Sequence, residues 1–278
     1  MCSLKKCEKK LSNRVGETAY NNQGLLMKII NYRNSNDIDI EFEDGTVVYN
    51  RSYNWFVRGK IKNYMNPEVL NIGYYGIDKI NDNDTYIGKN GKKELLKTYI
   101  YDRWRNMLDR CYSNEQNSNY ILYSECSVCD EWHSFYNYYI WFKQNMWGNN
   151  IAYQVDKDFL IKGNKIYSPT TCLLVDNKIN STIIKTNSKE KHYVGVYKLK
   201  NNKFYCRVRV KNKRISSNQF DSEIEAYNEY VRIKEAYIKE LADEYKEKYH
   251  DFPDKLYNAM YSYRIRETDF IYDYSSYK

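Results

Sequence analysis

The chain has 278 residues, with 44 Lys and Arg against 36 Asp and Glu, for a net charge of +8 at pH 7. A hydrophobic fraction of 42% can support packed cores in two or three domains. No apolar run approaches the roughly 20 residues that cross a bilayer, and the basic balance favours a polyanionic partner over a membrane.

The opening MCSLKKCEKK is short, basic and polar, reads as a frayed terminus, and has no apolar signal-peptide core behind it. Seven cysteines without regular spacing fit a reducing compartment. The expectation is a cytoplasmic protein without obligatory disulfides. The 32 tyrosines, together with abundant Asn, Lys and Ile, reflect AT-rich codons first, and only a minority are expected to stack on bases.

Strand-like pieces follow at LMKIINY, from Leu26 to Tyr32, and at DIDIEFEDGTVVYN, from Asp37 to Asn50. Ile38, Ile40 and Phe42 alternate with acids, and Asp44-Gly45 marks a hairpin turn. A small β-barrel-like module over 14–96 is expected. From Lys97 to Trp147 the period becomes helical, with one apolar stripe through Tyr101, Trp104, Met107, Leu108 and Cys111 and a second through Trp132, Phe135, Tyr139 and Phe142. A hairpin-like stretch, VDKDFLIKGNKIYSP, precedes TTCLLVDNKIN, which passes into a helix after Cys172.

Between His192 and Lys246 three short strands, YVGVYKLK, KFYCRVRVK and RISSNQF, lead into a long amphipathic helix. Ile224, Tyr227, Val231, Ala236, Ile238, Leu241 and Tyr245 mark its buried stripe, and Asp221 or Ser222 caps its start. Residues 247–278 form a Tyr-rich tail with a short helix after Pro253.

In the second of these strands Phe204, Cys206, Val208 and Val210 alternate with Tyr205, Arg207, Arg209 and Lys211. Strand side chains alternate faces, so the first set covers the helix and the second makes a cationic outer face. Lys198, Lys200, Lys213 and Arg214 lie on adjoining strands and turns. A ribbon of this kind fits the DNA major groove, where Arg reads guanine with two hydrogen bonds. An ordinary solvated sheet face is the bland alternative.

The segment YVGVYKLKNNKFYCRVRVKNKRISSNQFDSEIEAYNEY resembles the APETALA-type (ethylene-response-factor) DNA-binding domain. It does so through Gly195-Val196, Lys203-Phe204-Tyr205, Phe220 and Glu225-Ala226-Tyr227, and departs from that pattern at Gln219. The resemblance implies that the sheet, not the helix, enters the major groove of double-stranded DNA. YDRWRNMLDRCY, CDEWHSFYNYYIWF and VDKDFLIKGNKIYSPTTCLLVDNKIN resemble phage HNH homing endonucleases. That resemblance implies a ββα centre gripping one divalent metal, Mg2+ first among the candidates, with Asp156 and Asn180 as ligands and Asn164 orienting the loop.

Lys157 stands where that family has its general-base histidine, so the centre is degenerate, and Asp158 is the alternative base. A charged hairpin edge explains Asp156, Lys157 and Asp158 equally well. Cys126 and Cys129 form one CxxC, with His133 one helical turn past Cys129. A closed zinc site needs four ligands, so Zn2+ is the weaker metal reading. The expected fold is α+β and multi-domain, with an N-terminal β module at 14–96, an HNH-like domain at 97–190, a three-stranded sheet on one helix at 191–246, and a tail at 247–278. The expected function is DNA binding with metal-dependent nicking. Its rivals are a non-catalytic DNA binder that keeps a nuclease-like scaffold, and an inhibitor or adaptor acting through protein contacts.

Overall fold

The alternating segments near the N-terminus pair into one antiparallel sheet, with β1 (Thr18–Tyr20), β2 (Leu26–Asn34), β3 (Asp37–Phe42) and β4 (Val47–Arg51) in sequential order. The structure, a computed structural model, describes residues 14–88, 91–113, 123, 125–149, 152–183 and 193–266. The basic segment 1–13 and the end of the tail, 267–278, lie outside the described residues. Two compact units emerge, Met1–Trp141 and Phe142–Lys278.

In the first unit Met27, Ile29, Ile38, Ile40, Phe42 and Val48 form the core of this sheet, closed by Phe56 and Ile61. Phe56 belongs to the short helix α1 (Tyr53–Val57), whose first turn is capped by Ser52 accepting the Trp55 amide. Where a β-barrel-like module is expected, the described strands form a four-stranded meander with β1 and β4 at its edges. Four strands are too few to close around a filled interior. Asp39 is buried among the apolar residues of β3 because Arg33 holds its carboxylate with bonds of 2.7 and 2.6 Å. Arg33 also holds Asp37, and it keeps both carboxyl groups below their ordinary range.

The hairpin β5 (Thr85–Ile87) and β6 (Lys93–Leu95) runs straight into α2 (Leu96–Tyr112). The buried residues of α2 are Leu96, Tyr99, Ile100, Trp104, Met107, Leu108 and Cys111, close to the predicted stripe. Trp104 donates its indole N–H to the Trp132 carbonyl at 2.7 Å, which satisfies a polar handle inside an aromatic core. The strand β7 (Ser127–Val128) and a 3₁₀ turn at Asp130–His133 precede α3 (Phe135–Asn145). Trp132, Phe135, Tyr139 and Phe142 are all buried, as the second stripe predicts.

In the second unit β8 (Tyr153–Asp156) pairs antiparallel with β10 (Leu173–Asp176), while β9 (Ile166–Tyr167) lies in the connection between them. Helix α4 (Asn177–Ile183) follows β10 without a break, and the Asp176 carboxylate accepts the Ile179 amide at 2.7 Å in its first turn. Strands β11 (Val196–Lys198), β12 (Phe204–Val210) and β13 (Lys213–Ser216) form a three-stranded antiparallel sheet. Its apolar face packs on α5 (Glu223–Lys248).

At 26 residues α5 is about 39 Å long, more than this sheet can cover. Its second half serves the β8–β10 hairpin: Tyr245 donates its hydroxyl to Asp176, and Lys178 pairs with Glu244 at 2.9 Å. Ser222 starts the helix with a reciprocal capping box to Glu225. Tyr227, Ile238, Leu241 and Tyr245 are buried as predicted, but Ile224 and Ala236 are exposed, while Ala226, Tyr237 and Ala242 are buried. A single stripe fails because the helix turns different sides to two partners. The described part of the tail is packed in: α6 (Asp254–Tyr261) lies on α5 and buries Leu256 and Met260, and Phe252 closes over Trp147 at 5.0 Å.

Candidate nucleic-acid interface

The register of the three strands decides which side chains share a face. Tyr197 lies opposite Tyr205, Arg207 opposite Ser216, and Arg209 opposite Arg214. Opposed residues in an antiparallel pair project to the same side. Cys206 and Val208 are buried toward α5, so Tyr197, Tyr205, Arg207, Arg209 and Arg214 share the outer face. The predicted alternation therefore holds from Phe204 to Val210.

Arg207 is held in place. Its guanidinium donates to the Tyr205 hydroxyl at 2.9 Å and lies 4.9 Å from the Tyr197 ring centre and 5.6 Å from that of Tyr205. The two tyrosines stack with centroids 5.4 Å apart. Such cation–π contacts are worth about 0.5–1 kcal/mol at exposed sites, enough to bias one rotamer of a long side chain. Arg209 and Arg214, exposed beside it, have no carboxylate partner among the described residues.

Lys211 departs from the alternation. With Asn212 it forms a two-residue hairpin turn, both in the left-handed region at φ 46 and 63°. Its ammonium pairs with Glu240 on α5 at 2.5 Å, so it is directed to the helix rather than to the outer face. Lys198 and Lys213 lie opposite Phe204 and Val210, on the helix side of the register, and both are exposed at the sheet's rim. Lys200 is exposed in the turn between β11 and β12.

Gly195 fixes the entry of β11. It sits at φ 72°, and a Cβ there would come within 2.4 Å of the Tyr230 ring and 3.2 Å of the Arg207 carbonyl. Only glycine allows that backbone to meet both the helix and β12. Tyr197 is the outer-face residue that sequence reasoning passed over. The Asn201-Asn202 turn sets it opposite Tyr205, and that register was available as a signal.

At the hairpin, Asp156 ends β8 and its Oδ1 accepts the amides of Asp158 at 2.9 Å and Phe159 at 2.7 Å. Burial pushes its carboxyl above the ordinary range, and the neighbouring Asp158 charge adds to that shift. Lys157 is buried at 7% exposure. Its ammonium donates to both Asp158 oxygens, at 2.8 and 2.9 Å, and to the Asn164 carbonyl at 2.8 Å. The Asn164 side chain returns the tie, donating to the Lys157 carbonyl at 2.9 Å and the Ile166 carbonyl at 2.7 Å. Asn180 is half-buried on α4, which packs against β8 and β10.

These residues suit a divalent metal poorly. One oxygen of the sole assigned carboxylate ligand is engaged by two amides, burial favours its neutral form, and a buried ammonium occupies the next residue. Among the described residues no group of three or more His, Cys, Asp and Glu side chains is arranged to hold a metal. In the CxxC, Cys126 is buried, and burial raises the Cys129 thiol above its ordinary range, which disfavours the thiolate that zinc binds. His133 is 3.8 Å from Asp130 and packs edge-on to Tyr112.

No helix among the described residues is long and apolar enough to cross a membrane. No protein-family model, curated protein or solved structure matches the chain.

Proposed function

We propose that the protein binds double-stranded DNA through the outer face of the β11–β13 sheet, with the β8–β10–α4 unit serving as a scaffold. The observation that carries this reading is the composition and order of that face. The segment Val196 to Ser216 has eight Lys or Arg and no Asp or Glu; of these Arg207, Arg209 and Arg214 share the outer face, with Arg207 braced by Tyr197 and Tyr205. A pre-positioned guanidinium loses less entropy on forming two bonds to a guanine edge.

Replacing Arg207 and Arg209 together by Ala tests it, with affinity for short duplexes measured at several salt concentrations. A base-reading arginine costs about 1–3 kcal/mol and its loss relaxes sequence preference, whereas losing a phosphate contact weakens all sequences alike. Unchanged affinity in the double variant overturns the sheet-face reading.

Metal-dependent nicking is the second reading, favoured by the order of an antiparallel pair running into a helix with Asp156 and Asn180 on its elements. The burial and pairing of Lys157 support the scaffold instead, because a lysine held as an ion pair is no general base. Supercoiled plasmid incubated with the protein and magnesium, manganese or chelator separates the two. Nicks that require metal and vanish in Asp156→Ala favour the nuclease, and intact plasmid under every condition favours the scaffold.

A further inference from the structure

The first unit holds a cavity that the sheet reading does not use. It measures about 620 Å³ and opens between the segment 62–80 and the first turns of α2, within the roughly 300–1,000 Å³ of small-molecule sites.

Its aromatic wall is fixed from behind. Gly73 lies so close to α2 that a Cβ would come within 2.6 Å of Leu108 and 2.9 Å of Trp104. The Tyr74 amide donates to the His133 carbonyl at 2.9 Å, and the Tyr74 and Tyr75 carbonyls accept the Phe135 and Tyr136 amides at 2.8 and 3.1 Å. This pairing seats the Tyr75 ring on a cluster rooted in the core. Tyr75 stacks with Tyr101 and meets Phe135 edge-on, with ring centres 5.9 and 5.3 Å away. Both of those rings pack on the fully buried Trp104, at 5.5 and 5.4 Å. Tyr75 nevertheless remains 45% exposed. A ring held this firmly and still open to solvent is a preformed stacking surface, which costs little entropy to use.

The charges around the cavity are not balanced. Glu68 is held by Lys62 at 3.3 Å and by the Gln23 amide at 2.7 Å, and Asp78 is held by Arg51. Both acids and Lys62 are therefore neutralised by partners. Lys79 and Lys97, the other two cations of the lining, make no ion pair or hydrogen bond among the described residues. The Asn66 amide and the Tyr75 hydroxyl are likewise uncommitted there. Lys97 stands in the first turn of α2, which carries no acid and no side-chain cap, so the helix end adds to the positive field.

A flat aromatic wall, two unpaired ammonium groups and an amide able both to donate and to accept match the parts of a nucleotide. We infer that the cavity binds one nucleotide, with its base stacked on Tyr75, its base edge met by Asn66 and its phosphate held by Lys79 and Lys97. A free nucleotide and an unpaired unit of a single strand share this chemistry. The inference uses no residue of the sheet and does not depend on the duplex-binding reading.

The test titrates the full chain calorimetrically with nucleoside monophosphates of the four bases and with the matching nucleosides, and by fluorescence anisotropy with a short labelled single strand of mixed sequence. The monophosphate should bind more tightly than its nucleoside. Tyr75→Ala should weaken binding about five- to a hundredfold, the range for losing one base–aromatic stack, and Tyr75→Phe should keep it. Lys79→Gln with Lys97→Gln should bring the monophosphate down to the affinity of the nucleoside, and Lys79→Arg with Lys97→Arg should keep the difference. Binding of the monophosphate assigns a free nucleotide, whereas binding of the strand alone, weakened in Tyr75→Ala, assigns an unpaired unit of nucleic acid. Thermal melts check the fold of each variant; if Tyr75→Ala unfolds, the lysine pair, which has no partner to lose, decides. No binding of either probe by the native chain overturns the inference. So does binding that survives in both the Tyr75→Ala and the lysine-to-glutamine variants, or that is lost instead in Arg207→Ala/Arg209→Ala.

Discussion

Lys157→Met should destabilise the second unit by about 1 to 4 kcal/mol, and the structure apportions the loss. The half-buried Asn164 accepts at its carbonyl from the ammonium at 2.8 Å and would lose that donor, at a cost of up to about 1–3 kcal/mol, the range for an acceptor orphaned in a buried site. Asp158 loses both bonds, but its side chain is 41% exposed and recovers water, so its share is nearer the 0.2–1 kcal/mol of a surface pair. Lys157→His should lose as much, because the shorter ring cannot span the Asp158 carboxylate and the Asn164 carbonyl together, and it should confer no magnesium-dependent nicking. Urea denaturation followed by circular dichroism measures the stability, and the plasmid assay measures the nicking. Adding Asp158→Asn to Lys157→Met should recover part of the loss, since the stranded charge is then removed. Lys157→Met within about 0.5 kcal/mol of the native protein, the range of an ordinary surface substitution, would refute the structural role, and metal-dependent nicking by Lys157→His would restore the nuclease reading.

Gly195→Ala should cost about 2 to 4 kcal/mol, combining the left-handed backbone at φ 72° with a Cβ driven into the Tyr230 ring; a thermal melt together with duplex affinity checks it, and a melting temperature within a degree of native would contradict the packing. Asp39 and Asp37 have carboxyl groups held below their ordinary value by Arg33, so their contribution to stability is fully present above that value and is lost as pH falls through the lowered one. Urea titrations from pH 6 down to pH 2 should therefore show stability falling below about pH 4, and Arg33→Ala should flatten that decline while lowering the plateau above it. An equally steep acid limb in Arg33→Ala would mean that other carboxylates govern it.

Much of the fold was legible because its signals are local. The period-two pattern from Phe204 to Val210, the turn residues at Asn201-Asn202 and the helical stripes of Trp104 and Trp132 each depend on neighbours within a few positions. What was not legible depends on distant partners. Asp39 reads as the solvent side of β3, yet it is buried because Arg33 crosses from β2 to neutralise it. Lys211 continues the strand alternation in sequence, yet the hairpin turn takes it out of the strand and Glu240 draws it to the helix. The tail's Phe252, Leu256 and Met260 show spaced apolar residues, but nothing near them in sequence reveals Trp147 or α5 as their cover.

The Asp156–Asn164 segment separates position from environment most sharply. Residue type and spacing align Lys157 with a catalytic base, and the same spacing is what a loop needs to tie its two ends together. Two facts discriminate: the lysine's ammonium is bonded to Asp158 and Asn164 of its own loop, and the Asn164 side chain answers with bonds to the backbone of Lys157 and Ile166. A base must present a free lone pair to water, and an ammonium committed to three acceptors has none to offer. The same knot that removes Lys157 from catalysis sets the course of the chain into Lys162. Under the proposed DNA-binding function, Lys157→Met should therefore weaken duplex binding only as far as it unfolds this loop, and affinity lost with stability unchanged would contradict the argument.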